Sequence, residues 1–201
     1  MMVSQRVMSI TLGANVLAWG VLGLATSPIA DRWSVVRIAI SLLHLVVGTL
    51  LITRAQVVRH GEPRELMMAL PSIVASGLAF KFSPDPGSWP GYAQVVFAVA
   101  TFFAAVSLAC LGRNFAVLPA IRSVTSIGPY VWIRHPAYAA EAVMALACWL
   151  AGPNWVGGVA IILLVPFLVA RILAEERVLA ESPEYQQYAR SVPWRLVRGV
   201  W

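Results

Sequence analysis

Residues 128–141 read "GPYVWIRHPAYAAE", and behind them the chain runs apolar as "AVMALACWLAGPNWVGGVAIILLVPFLVA" to residue 170. Pro136 suits the first turn of a helix, where its missing N–H forfeits no bond. Arg134 and His135 then stand just ahead of that helix. The run breaks only at "GPN", 152–154, which leaves two arms, 136–151 and 155–170, of 16 residues each. Apolar helices joined by so short a turn form an antiparallel hairpin, and each arm covers roughly 24 Å at the α-helical rise. Their free ends therefore lie level. The second arm leaves through "ARILAEERVLAE", 170–181, with Arg171 and Glu175 on one helical face. Level ends bring Tyr138 and His135 beside Arg171 and Glu175, with Glu141 one turn deeper. Singly, each cluster has an ordinary reading: polar residues snorkelling around a proline helix start, and an i,i+4 pair worth about 0.2–0.5 kcal/mol. Together they make a half-wet cavity of cationic, anionic and aromatic groups, open to water and to bilayer.

The rest of the 201 residues sets that hairpin in a membrane. Hydrophobic residues make up 59% and charged ones 12%, where a soluble domain carries about a quarter charged. Spans of roughly 20 apolar residues cross a ~30 Å hydrocarbon layer. Six candidates are present: 8–26, 33–53, 66–82, 91–111, 136–151 and 155–173. The expected fold is an all-α integral membrane protein of about six transmembrane helices, the last two forming the hairpin that carries the site. A cleaved signal peptide is the alternative for the first span; its length and the five spans after it favour a helix of the bundle. With the N-terminus inside, twelve of the fifteen basic residues fall on the cytoplasmic side, leaving Arg32, Arg37 and Lys81 on the other. That positive-inside distribution puts both termini in the cytoplasm. It also accounts for the net charge of +6, so nucleic acid is not an expected partner. Fourteen arginines against one lysine point to a GC-rich bacterial source and its inner membrane.

No internal repeat or linker divides the chain, so residues 1–201 read as a single membrane domain, with 1–90 as structural spans. Within the second span Ser41, His44 and Gly48 recur at helical spacing, as small and polar residues do where helices approach closely. His44 reads as a packed bundle histidine, although an intramembrane titratable group is by default a functional candidate. Gly20, Gly23, Ser76 and Gly77 take the same structural reading. The fourth and fifth spans run in opposite directions, which puts Cys110 near the inner face and Cys148 near the outer one and excludes a disulfide between them. The histidines at 44, 60 and 135 show no metal-ligand spacing, and no metal site is expected.

The segments "GPYVWIRHPAY", "AEERVL" and "PEYQQYARSVPW" together resemble the membrane methyltransferases that include isoprenylcysteine carboxyl methyltransferases and phospholipid N-methyltransferases. Their shared pattern is G-x-Y-x-x-x-R-H-P-x-Y, a transmembrane hairpin, a paired-glutamate E-E-x-x-L helix and a Y-x-x-Y tail. All four occur here in order, over roughly 111–197, which is the methyltransferase-like region. The resemblance implies S-adenosyl-L-methionine as methyl donor, held by the last two spans and the segments flanking them. It sets Tyr130, His135, Pro136, Ala137 and Tyr138 against the cofactor, together with Glu175, the first of the glutamate pair. Ser123, Val124 and Thr125 match a further cofactor-contacting segment. Arg171 falls where carboxyl methyltransferases place a substrate-binding arginine, and Glu141 joins it as an acceptor contact. Ala140 stands where the family often has glycine. Asn114 is the nearest amide to a glutamine that contacts the cofactor in some members.

Methyl transfer from a sulfonium is an in-line displacement, so the protein chiefly holds donor and acceptor collinear and excludes water. Tyrosine faces attract a sulfonium by cation–π interaction. A carboxylate such as Glu175 can hold hydroxyls or an amino group, and Arg171 can pair with an acidic acceptor through two parallel charged contacts. No covalent nucleophile is needed, and no Ser–His–Asp or Cys–His arrangement stands out. The expected reaction is methyl transfer to a lipid or lipophilic small molecule at the cytoplasmic interface. Arg171 favours carboxyl O-methylation of an isoprenylcysteine-like acceptor. A phospholipid amine and a small thiol are the alternative acceptors. Outside the enzymes, a membrane scaffold would use the same polar clusters as interface anchors.

Overall fold

The computed structural model describes residues 2–26, 33–54, 59–60, 63–115, 120–121 and 124–201. Among them run seven α-helices: α1 (Met2–Ala25), α2 (Val35–Thr53), α3 (Pro63–Lys81), α4 (Gly91–Leu111), α5 (Pro136–Ala151), α6 (Trp155–Leu179) and α7 (Pro183–Ser191). A two-residue antiparallel pair, β1 (Arg59–His60) with β2 (Ala120–Ile121), ties the α2–α3 connection to the α4–α5 connection. The first six helices fall on the six expected spans. By length and composition four of them, α1, α2, α4 and α6, can cross a membrane, while the apolar parts of α3 (Leu70–Lys81) and α5 are shorter. The all-α membrane class stands on those four.

Local signals start and stop the helices where they should. Ser34 caps α2 by accepting from the Arg37 N–H, and Asn154 caps α6 by accepting from the Gly157 N–H at 2.8 Å, each satisfying an N–H that the helix itself leaves without a partner. Proline opens α5 and α7. Gly112, at φ 50°, closes α4 in the left-handed region that glycine enters without a steric penalty. Helix α6 runs six residues beyond the apolar span expected to end at 173. "LAEERVL" contains no breaker and is rich in strong helix formers, so Arg171, Glu175 and Glu176 ride on one uninterrupted rod.

The hairpin is splayed. Helix α6 packs most extensively on α3 and α5 on α4, with a smaller contact between α5 and α6 themselves. Small residues explain the close α3 and α4 contacts: Ala75, Ala79, Ala93, Ala145, Ala147 and Ala160 are all in the central core. Between α1 and α2 the backbones nearly touch. A Cβ on Gly48 would lie 2.9 Å from the Gly13 carbonyl oxygen and 2.6 Å from Leu17, and one on Gly20 would meet His44 at 2.9 Å. Gly48 and Gly20 are thus packing glycines, as their spacing implies, whereas Gly23 faces open space. Gly48→Ala is expected to lower stability by about 1–3 kcal/mol, since neither helix backbone can yield without repacking. Gly23→Ala should be neutral or slightly stabilising, and thermal unfolding of both variants in detergent checks the contrast.

At the end of the bundle where α5 gives way to α6, loops are knitted by Asn154 to the Phe82 carbonyl, Tyr92 to the Leu150 carbonyl, and an Arg37–Asp85 ion pair at 2.9 Å. The opposite end stays open. There the segment after α7 pairs with the lead into α5: the Arg134 N–H donates to the Trp194 carbonyl at 2.8 Å, and the His135 N–H to that of Arg195 at 2.9 Å.

Candidate functional site

A cavity of about 470 Å³ opens at that end and runs into the bundle. Four helices each present it with a stripe at helical spacing. Tyr138, Glu141 and Met144 descend along α5, Arg171, Glu175 and Leu179 rise along α6, Ala104, Leu108 and Leu111 come from α4, and Leu43 and Val47 from α2. Ile73 adds a contact from α3. The outer part of the wall is aromatic and charged, and the inner part aliphatic.

At the polar end, Tyr138 is the hinge between the two arms. Its hydroxyl donates to Glu175 Oε2 at 2.5 Å. The His135 ring stacks on it with centroids 5.5 Å apart and planes within 5°. On α6 the Arg171 guanidinium sits 4.5 Å from the Tyr138 ring centroid, within cation–π range. One tyrosine thus touches a carboxylate and a guanidinium from α6 and an imidazole from the lead into its own helix.

Arg171 is only 7% exposed, and its surroundings come from helices beyond α6. It donates to Ser72 Oγ at 3.2 Å and reaches Glu141 Oε2 at 3.5 Å. The Ser76 hydroxyl donates to the other Glu141 oxygen at 2.7 Å. Two serines one turn apart on α3 therefore hold the charged pair that α5 and α6 contribute. A buried ion pair is tolerated only when such bonds satisfy what the pair leaves over.

The second glutamate of the pair turns away from the cavity. Glu176 Oε1 accepts from the Tyr185 hydroxyl at 3.1 Å and lies 3.2 Å from His135 Nε2. It also forms an ion pair with Arg134 at 3.0 Å. Its Oε2 accepts from Arg195 Nε at 2.8 Å. Arg195 in turn stacks on the Trp201 ring. Helix α7 closes the polar end with Tyr185 and Tyr188, and the Tyr188 hydroxyl donates to the Tyr130 carbonyl at 2.8 Å. Burial, aided by nearby Glu175, pushes the Tyr130 hydroxyl far above its usual range. Burial does the same to Tyr185, with Glu176 adding to it, and pushes Tyr188 up to about 12. All three remain protonated at neutral pH. Gly128 sets the turn that aims Tyr130: it sits at φ 59°, and a Cβ there would meet Cys110 Sγ at 2.6 Å.

Of the residues expected at the cofactor, Val124, Thr125, Tyr130, His135, Ala137, Tyr138 and Glu175 all line this one cavity, with the acceptor candidates Arg171 and Glu141. Pro136 is buried in the first turn of α5 and stays behind the wall. Ser123 lies outside the described residues. Asn114 also reaches the wall. Arg134, Tyr185 and Tyr188 were given no role from the sequence, although the i,i+3 spacing of the two tyrosines on an otherwise polar helix marks an inward face. Leu43, Val47 and Ile73 come from spans that read as structural. Cys110 and Cys148 are free thiols.

Residues 90–181 match the profile described as the isoprenylcysteine carboxyl methyltransferase (ICMT) family. The match takes in α4, α5 and α6, and with them Tyr138, Arg171 and the glutamate pair. No curated protein matches the chain.

Proposed function

We propose, because residues 90–181 match the profile of the isoprenylcysteine carboxyl methyltransferase family, whose members are methyltransferases dependent on S-adenosyl-L-methionine, that this cavity methylates a lipid or lipophilic small molecule. One observation carries the reading: the Tyr138–Glu175 contact stands at the polar mouth of a cavity whose inner wall is aliphatic. A polar cofactor and an amphipathic acceptor need just those two halves in one space. The residues suit the cofactor. Tyr130, Tyr138, Tyr185 and Tyr188 supply ring faces for a sulfonium, and Glu175 supplies a carboxylate for its hydroxyls or amino group. When bound, the cofactor supplies an electrophilic methyl group. The chain's own part is to orient the acceptor, exclude water and manage the acceptor's proton.

On this reading the acceptor's apolar chain lies along Leu43, Val47, Ile73 and Met144, and its reacting atom comes up beside Arg171. A carboxylate acceptor would be held by the guanidinium, as the resemblance implies. A second reading has its own support, because Arg171 already faces Glu141 at 3.5 Å and Glu175 stands one turn along the same helix. Two carboxylates against one guanidinium repel an anionic acceptor and suit an amine. An amine sheds a proton on methylation, and Glu141 is placed to take it. Incubation with methyl-labelled cofactor and two long-chain acceptors, one ending in a carboxylate and one in an amine, tests both. Label in either lipid product, lost in Glu175→Ala, supports the methyltransferase reading and chooses between the two. No binding of S-adenosylhomocysteine by the purified protein would overturn it.

A further inference from the structure

Glu176 has four polar partners at this end of the molecule, yet it does not line the cavity. Its carboxylate gathers four groups from three places in the chain. Arg134 and His135 lead into α5, Tyr185 belongs to α7, and Arg195 follows α7. Its side chain is 12% exposed, with Arg134 at 8% and Arg195 at 28%. Three of the four, Arg134, His135 and Tyr185, are themselves in the cavity wall. The fourth fastens the segment beyond α7, which also pairs by its backbone with Arg134 and His135. The two glutamates therefore divide the work by the 100° that separates neighbours on a helix. Glu175 faces in.

From this geometry we propose that Glu176 is a positioning residue for the cofactor pocket. Its carboxylate requires an N–H at His135 Nε2, which fixes the imidazole that stacks on Tyr138. It holds the Tyr185 ring in the wall, and through Arg195 it clasps residues 192–201 across the open end. The inference rests on the cofactor reading for its meaning, but its geometry is tested independently of that reading.

The test uses Glu176→Gln, which keeps the size of the side chain and removes its charge, with Glu176→Asp as the conservative variant and Arg195→Ala as a milder one. With ¹⁵N-labelled histidine only three imidazoles report, at 44, 60 and 135, and a His135→Asn spectrum assigns the third. Wild-type protein should show His135 with its proton at Nε2, and Glu176→Gln should lose that single form. The same variant should bind S-adenosylhomocysteine about tenfold more weakly, as the loss of a charge-assisted bond implies, and Glu176→Asp should recover part of it. Arg195→Ala should weaken binding about threefold by the same reasoning and raise amide exchange across 192–201. An unchanged His135 spectrum in Glu176→Gln would overturn the proposal, and so would wild-type affinity in that variant. If Glu176→Gln does not fold, unchanged affinity and exchange in Arg195→Ala overturn it equally. Should the wild type bind no S-adenosylhomocysteine, the cofactor reading fails, and the His135 spectrum still decides the role of Glu176.

Discussion

Glu175→Ala is expected to weaken S-adenosylhomocysteine binding by about a hundredfold, the worth of one or two charge-assisted hydrogen bonds lost from a partly buried site. Two effects add. The variant removes the carboxylate proposed to hold the cofactor, and it leaves the Tyr138 hydroxyl, bonded to it at 2.5 Å, without that acceptor. Tyr138 then keeps only its ring contacts with His135 and Arg171. Glu175→Gln separates the two effects, because it keeps an oxygen for Tyr138 and removes only the charge. Its affinity should fall between wild type and alanine. Calorimetry with purified protein in detergent reads both constants. Wild-type affinity in both variants would remove Glu175 from the cofactor site.

Arg171→Ala should have the largest effect on stability, about 3–5 kcal/mol, because it leaves Glu141 as a half-buried carboxylate without its counter-charge. Ser76 would remain as a hydrogen-bond donor to Glu141, which a full negative charge inside a helix bundle does not find sufficient. The cost should be recovered in part by Glu141→Gln in the same chain. A double-mutant cycle on thermal or denaturant unfolding measures that coupling. Additive effects of the two substitutions would mean that the pair does not act as a unit. On the enzymatic side, Arg171→Ala should impair use of a carboxylate acceptor more than of an amine. The acceptor assay therefore reads the same residue a second way.

Much of this is legible in the amino-acid sequence. Six apolar stretches located six helices, because the hydropathy of a bundle helix survives any detail of its packing. The "GPN" turn brought Tyr138 to Arg171 and Glu175, because two arms of equal length leave their ends little choice. The serine contacts to Arg171 and Glu141 were hidden. Ser72 and Ser76 sit in an apolar helix, where serine reads as a small packing residue, and only the splay of the hairpin puts α3 against α6. The same splay brings Leu43 and Val47 into the cavity wall. Glu176 was unreadable for another reason: its partners lie 41 residues back and 9 and 19 residues ahead, and no local spacing links them. The apolar run stops at 173, and the helix carries on through the glutamate pair to Leu179.

That unbroken helix has a consequence for how the enzyme keeps its two substrates in step. Arg171 and Glu175 are one turn apart on a single rod, so about 6 Å of axial rise is the gauge between the proposed acceptor end and the proposed cofactor end. No loop enters the measurement. Loop motions at the open end can admit or release molecules without altering that spacing. A residue inserted between 172 and 174, by contrast, would swing Glu175 by about 100° and put Glu175 and Arg171 out of phase. Over these few positions the chain can be edited letter by letter, but its length cannot change.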